Sequence, residues 1–223
     1  MDLSVIIVAA GSGKRMGFDK LLAVLAGKPV LQHSIEAFEQ HPDVGEVIVV
    51  CPEDRFNKLN IKATSKPIIQ VNGGSERHLS VAKGIEKVAL PSRYIAVHDG
   101  ARPLISQEQI TAIYQAAVTT GAAASARPAT ETMKQADSQG VVQADVNRDQ
   151  IWIMETPQIF NAEMLKDAYN EVTKQDCLVT DEVSAMQIIK APVQLVQNSS
   201  ANPKITYPSD LLIVEALLQN SVS

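Results

Sequence analysis

Leu3-Ser4-Val5-Ile6-Ile7-Val8-Ala9 runs without a break into Ala10-Gly11-Ser12-Gly13-Lys14-Arg15-Met16. The first stretch is almost wholly apolar and rich in Val and Ile. It has no polar side to turn to water, so it predicts a strand buried on both faces, as in a parallel sheet. The glycines behind it permit a tight turn whose backbone N–H groups can approach phosphate oxygens. The same unit recurs along the chain. Glu46–Cys51 predicts a second buried strand, Ile68–Val71 a third that ends at Gly73-Gly74, and Tyr94–Val97 a fourth that ends at His98-Asp99-Gly100. Helical periods lie between them, through Val30, Leu31, Ile35 and Phe38 after Pro29, and through Leu79, Ala82, Ile85 and Val88 within Ser75–Ala89. Ser106 and Gln109 have the spacing of a capping box, before a helix that ends near Gly121. Strands alternating with helices predict an α/β fold, a mostly parallel sheet flanked by helices.

The rhythm then breaks. Ala122–Arg127 is strand-like, and Thr132–Ala136 and Val141–Val146 flank the turn signal Asp137-Ser138-Gln139-Gly140. This predicts a polar β-hairpin that projects as an arm, at about residues 131–150, from a single domain spanning 1–223. Two strands alone are marginally stable, so such an arm needs a partner. Ile151–Met154 and Gln158–Phe160 return to the core as two short strands. Helices are expected at about 162–173 and 181–190, a strand at Val193–Val196, and a last helix capped by Ser209 and running through Leu218.

Composition narrows the function. The chain has 223 residues, 45% hydrophobic and 20% charged, as in ordinary globular proteins. Lys and Arg number 20 against 25 Asp and Glu, a net charge of −5, which argues against a nucleic-acid or membrane-surface binder. Aromatics at 4% leave little for a base-stacking platform. No apolar run approaches the ~20 residues of a membrane span. The start lacks a basic segment with a cleavage site, so neither a signal nor a transit peptide is expected, and the setting expected is the bacterial cytoplasm. Cys51 and Cys177 match no metal or redox spacing and are expected to be buried, reduced thiols.

The glycine loop is not a P-loop, because no Gly-Lys-Ser/Thr stands at the required spacing. Nor is it a dinucleotide fingerprint, since Met16 occupies the place of the third glycine. What it carries is cations: Lys14, Arg15 and, just beyond, Lys20. Cations on a glycine loop suit a triphosphate whose transition state gathers negative charge. Gly73-Gly74-Ser75 exposes backbone that can read a base edge. Asp99 and Arg102 follow a strand whose carboxyl end is where open α/β sheets bind ligands. His98 reads as structural. Lys204, between Pro203 and Ile205, is a candidate phosphate contact.

Together these segments resemble the 2-C-methyl-D-erythritol 4-phosphate cytidylyltransferase family. The resemblance is carried by Ala9-Ala10-Gly11-x-Gly13-x-Arg15-Met16 with Lys20, and by Gly73-Gly74-x-x-Arg77-x-x-Ser80-Val81. It continues through His98-Asp99-x-Ala101-Arg102-Pro103, Glu131-Thr132-Met133-Lys134, Arg148 before Trp152, Thr156-Pro157-Gln158, Thr180-Asp181-Glu182 and Lys204-Ile205-Thr206. It implies a Rossmann-like nucleotidyltransferase fold and a homodimer whose arms are exchanged. The implied substrates are CTP and a polyol phosphate, with Mg2+ held mainly through the CTP phosphates and no metal ligand from the protein.

The resemblance also implies roles. Arg15, Lys20 and Lys204 would neutralise the triphosphate, with Arg148 at the reacting centre. The loop at Ala10, Gly11 and Gly13, with Gly74, Ser75 and Ser80, would hold the nucleotide and read cytosine. Asp99 and Ala101 would lie by the ribose and the acceptor. Arg102, Thr132, Arg148, Thr156 and Thr180 would hold the acceptor, some from the other subunit's arm. Asp19 stands where many members carry Pro, and Ser75 and Gly100 where some carry Asp and Ala. Two other readings remain at this point: a ribitol 5-phosphate cytidylyltransferase, and a non-catalytic nucleotide-binding regulator on the same fold.

Overall fold

A computed structural model of the chain describes residues 2–11, 17–61, 64–89 and 91–220. In chain order its strands are β1 (Leu3–Val8), β2 (Val24–Leu25), β3 (Lys28–Pro29), β4 (Val44–Val50), β5 (Ile68–Val71), β6 (Tyr94–Asp99), β7 (Ala122–Pro128), β8 (Lys134–Ala136), β9 (Val142–Asp145), β10 (Trp152–Asn161) and β11 (Gln194–Gln197). The helices are α1 (Val30–Glu39), α2 (Glu53–Phe56), α3 (Arg77–Ile85), α4 (Gln107–Thr120), α5 (Ala162–Lys174), α6 (Glu182–Ile188) and α7 (Pro208–Asn220).

Seven strands form the central sheet, in the order β11-β7-β10-β6-β1-β4-β5. β1 lies between β4 and β6 and is parallel to both. Its central place explains why Leu3, Val5, Ile6 and Ile7 are fully buried. Alternate residues serve opposite faces. Leu3, Val5 and Ile7 pack with Leu31, Ile35 and Phe38 of α1 and with Ile110 and Ile113 of α4. Ile6 packs on the other face with Val81 of α3 and with Leu165 and Tyr169 of α5. β10 alone is antiparallel to its sheet neighbours, β6 and β7. It follows the hairpin rather than a helical crossover, and a return by that route brings the strand back antiparallel.

The capping box of α4 is present, and Gly121 closes that helix in the left-handed region at φ 87°. Several expectations need correcting. Residues 152–154 and 158–160 belong to one strand, β10, and Ile151 lies before it. Its pairing with β7 slips between Met154 and Gln158, which accommodates Pro157 as an irregularity instead of a break. The helix expected over 75–89 is ordered only as Arg77–Ile85, after which the chain turns. Ser209 lies inside α7 and does not cap it. The Asp210 carboxylate does that work, accepting the N–H groups of Thr206 and Tyr207 at 2.7 and 2.8 Å. Cys51 is buried as expected, but Cys177 is only half-buried.

β8 and β9 form a separate two-stranded antiparallel sheet, and every residue in them is exposed. The Asp137 carboxylate shapes their turn by accepting the N–H groups of Gln139 and Val141, both at 3.0 Å. Val141 and Val142 are exposed at the tip. Among the described residues no helix is long and apolar enough to cross a membrane.

Candidate active site

The carboxyl ends of β1, β5 and β6 converge on one edge of the sheet. There the chain from Ala9 to Gly11 meets the turn at residues 73–80. A Cβ on Gly73 would stand 2.4 Å from the Ala10 Cβ and 2.9 Å from the Ser80 Oγ. Only glycine lets the two loops approach this closely. Ser80 fixes the turn, since its hydroxyl accepts the Gly74 N–H and donates to the Glu76 carbonyl, each at 3.0 Å. Backbone of both loops is thereby presented as one surface.

Asp99, the last residue of β6, is the centre of a charged cluster. Lys204 donates to its Oδ2 at 2.8 Å. Arg77 lies 3.6 Å from Oδ1, and the Arg102 Nε 3.7 Å from Oδ2. Burial alone would raise the Asp99 pKa, but Lys204 and Arg77 hold it far below the usual carboxylate range. Arg77 also forks onto the fully buried Glu182 carboxylate at 2.7 and 3.0 Å, and the Tyr169 hydroxyl donates to the same group at 2.9 Å. Burial works against the charge of Arg77; Glu182 more than offsets it and raises its pKa. Arg102 is clamped by the Asn202 carbonyl at 2.6 Å, yet its buried Nε has no hydrogen-bond partner. The Lys20 Nζ donates to the Ile205 carbonyl at 2.7 Å, and the Ile205 N–H to the Ala101 carbonyl at 2.9 Å. Lys20 and Lys204 therefore meet at one strap of chain.

His98 is wholly buried and stacks edge-on against Phe38. Its Nε2 faces the Arg102 carbonyl at 3.1 Å and so carries the proton, leaving Nδ1 to accept from the Thr156 hydroxyl at 3.2 Å. The Thr156 oxygen in turn accepts the Asp99 N–H at 3.0 Å. Burial pushes the His98 pKa down from 6.5 to about 4. A neutral imidazole fits this relay, and an imidazolium breaks it. The unfolded chain binds a proton on His98 below about pH 6.5 and the folded one only below about 4, so the stabilisation is full above 6.5 and is lost as pH falls through that window. Between pH 7 and 4.5 the wild type is expected to lose about 2–3 kcal/mol more stability than His98→Asn does. Urea unfolding at the two pH values checks this; equal losses in both proteins would refute it.

The structure brings together two groups of the expected residues. Ala10, Gly74 and Ser80 form one, with Gly11 beside them; Lys20, Asp99, Ala101, Arg102, Thr156 and Lys204 form the other. Ser75 is exposed at the first. Thr132, Arg148 and Thr180 make no hydrogen bond or ion pair to the Asp99 cluster. Arg148 is exposed and donates to the Thr130 carbonyl at 2.7 Å, and Thr180 pairs with Ser184. Thr132 and Arg148 instead line an open hollow of about 330 Å³ at the base of the hairpin. Gly13, Lys14 and Arg15 lie outside the described residues. The sequence reading gave no role to Arg77, Glu182 or Asn202.

Among the described residues no three His, Cys, Asp or Glu side chains are grouped to hold a metal. Asp99 is engaged by Lys204 and flanked by two arginines. These residues do not build a metal site of their own, and no step below runs through a metal.

A parallel sheet with a glycine loop after its first strand, two lysines and a buried arginine at its carboxyl edge defines a nucleotidyltransferase-class α/β protein. Comparisons narrow the class. The sequence profile of the 2-C-methyl-D-erythritol 4-phosphate cytidylyltransferase family matches residues 3–220, and the chain belongs to that family. It is 38% identical over 220 residues to the protein of that name from Prochlorococcus marinus, covering 97% of this chain and 98% of the relative. The Desulforamulus reducens protein is 37% identical, with 98% and 96% covered. The solved 4-diphosphocytidyl-2C-methyl-D-erythritol synthase of Anaerococcus prevotii superposes with a TM-score of 0.85 at 27% identity, over 97% of this chain and 96% of that one. The fold is the Rossmann-like fold of these enzymes.

Proposed function

We propose that this chain joins CTP to 2-C-methyl-D-erythritol 4-phosphate, giving the cytidine diphosphate alcohol and pyrophosphate. Family membership supports the reaction, and no observation favours the ribitol phosphate or regulator readings. The observation that carries the site is the convergence of Lys20 and Lys204 on one strap beside Asp99 and Arg102.

An oxygen of the acceptor phosphate attacks the α-phosphorus of CTP. A P–O bond forms there, and the bond to the β,γ-pyrophosphate breaks, its electrons leaving with the pyrophosphate. The attacking oxygen is already anionic, so no general base is needed. Two anions must be brought together, and catalysis is positioning and charge neutralisation. Lys20 and Lys204, with Arg15, neutralise the phosphates. Asp99 holds Lys204 in place. Arg102, whose Nε faces Asp99 without a hydrogen bond, is the candidate cation for an acceptor phosphate oxygen, and Thr156 sets the Asp99 backbone beside it. Gly74 and Ser75 offer backbone donors and acceptors to cytosine, against Ala10. Mg2+ would be carried by the CTP phosphates rather than by these side chains, and would supply further charge neutralisation. Thr132 and Arg148 reach the acceptor of the partner site in an arm-exchanged homodimer. The two bacterial relatives support a bacterial cytoplasmic setting.

Pyrophosphate release tests the reading. CTP with methylerythritol phosphate is expected to turn over, and ribitol phosphate, UTP and ATP to do so far less. Equal turnover with ATP would overturn the base site, and preference for ribitol phosphate would overturn the acceptor.

A further inference from the structure

Arg55 was not singled out by any motif, yet it sits directly behind the glycine loop. It is carried by the short α2 after β4 and is only 6% exposed. Each of its three guanidinium nitrogens donates a hydrogen bond. Nε donates to the Asp19 Oδ2 at 2.8 Å, Nη1 to the Ala9 carbonyl, and Nη2 to the Gly11 carbonyl at 3.1 Å. One planar group thus ties the entry of the loop, Ala9 and Gly11, to its exit at Asp19. The other Asp19 oxygen accepts the Leu21 N–H at 3.1 Å, so the Asp19 carboxylate is itself held from both sides. A peptide C=O and the following N–H point in opposite directions across a planar trans unit. Holding the Ala9 carbonyl against Arg55 therefore turns the Ala10 N–H away from it.

We propose that Arg55, with Asp19, is a positioning residue for the nucleotide: it fixes Ala9–Gly11 and Asp19, the two ends of the glycine loop, before CTP arrives. This rests on the reading of that loop as the CTP phosphate site. Only a planar, forked cation reaches three acceptors in this way, which a lysine cannot reproduce. Ordering a loop before the ligand arrives raises affinity without adding a contact to the ligand. The effect falls on CTP, because Arg102, Thr156 and Lys204 are held by other partners.

Steady-state kinetics of the full chain, with each substrate varied in turn, tests the proposal in Arg55→Met, Arg55→Lys, Asp19→Asn and the Asp19→Asn/Arg55→Met double variant. Arg55→Met is expected to raise KM for CTP ~30-fold and Asp19→Asn ~5–10-fold, with kcat and the KM for the polyol phosphate changed less than ~3-fold. The double variant should match Arg55→Met, because the Asp19–Arg55 tie that Asp19→Asn weakens is already absent there. Should Arg55→Met not fold, Asp19→Asn and Arg55→Lys carry the test, since Asp19 is partly exposed and Arg55→Lys keeps the charge. KM for CTP within twofold of wild type in these two, whatever the melting temperature, would overturn the proposal. So would an equal rise in both KM values, which marks general loosening. Wild type that turns over CTP with unaffected variants removes only the role of Arg55; wild type that does not use CTP removes the loop reading and this proposal with it.

Discussion

Lys20→Ala is expected to lower turnover by ~10²–10³ while CTP binding weakens far less, by analogy with loss of a single oxyanion-stabilising donor. The Lys20 ammonium lies 2.7 Å from the carbonyl of Ile205, the residue after Lys204, and on the proposed reading both cations serve the reacting phosphates. Charge on the α-phosphate and the departing pyrophosphate is greatest in the transition state, and a cation placed there contributes mostly to kcat. The ground-state triphosphate keeps the backbone of the glycine loop and the remaining cations. Arg15→Ala is expected to act alike from its place in the loop sequence. Initial rates and calorimetric titration with CTP separate the two quantities, with thermal unfolding as the control for folding. Near-normal turnover in Lys20→Ala would sink the phosphate assignment.

The second expected result is recovery of activity from two inactive proteins. Arg148 is exposed at the base of the hairpin and donates to the Thr130 carbonyl, whereas Lys20 donates to the Ile205 carbonyl. If arms are exchanged, a site takes Lys20 from one chain and Arg148 from the other. In a mixed dimer of Lys20→Ala and Arg148→Ala subunits, one site then carries both changes and the other carries neither. Random exchange at equal amounts makes about half the dimers mixed, so about a quarter of wild-type activity should return. The assay is turnover after mixing, with exchange followed by a mass tag. No recovery despite proven exchange would place Arg148 in its own subunit's site or outside catalysis. A monomer at assay concentration would leave the hairpin without a partner and remove the idea.

Much of the scaffold could be read in advance because its strands are continuous apolar runs. Leu3–Val8 needs no context, since burial on both faces leaves one reading of such a run, whereas the half-buried edge strand Ile68–Val71 was marked by the glycines behind it. The capping box at Ser106 is a local device and was legible for the same reason. β10 was split because Pro157 normally ends pairing, and only the neighbouring β7 shows that the strand slips past it. Within the site, Lys20, Asp99, Arg102 and Lys204 were visible as cations or acids at strand ends. Glu182 and Arg55 were not, since each acts across more than 30 residues of sequence, on Arg77 and on the Ala9–Asp19 segment. Asp19, which stands where many members carry Pro, is held by the Arg55 guanidinium and by the Leu21 N–H.

Glu182, Arg77, Asp99 and Lys204 form a line of alternating sign that runs from the start of α6 to the strap after β11. Neutralising one member leaves its neighbour charged and poorly solvated, at a cost of about 3–5 kcal/mol when a buried partner is removed. Effects of changes along such a line do not add. The four positions therefore behave as a single heritable character: a lineage can abandon the arrangement only by passing through a poorly folding ancestor, or by altering both signs of a pair at once.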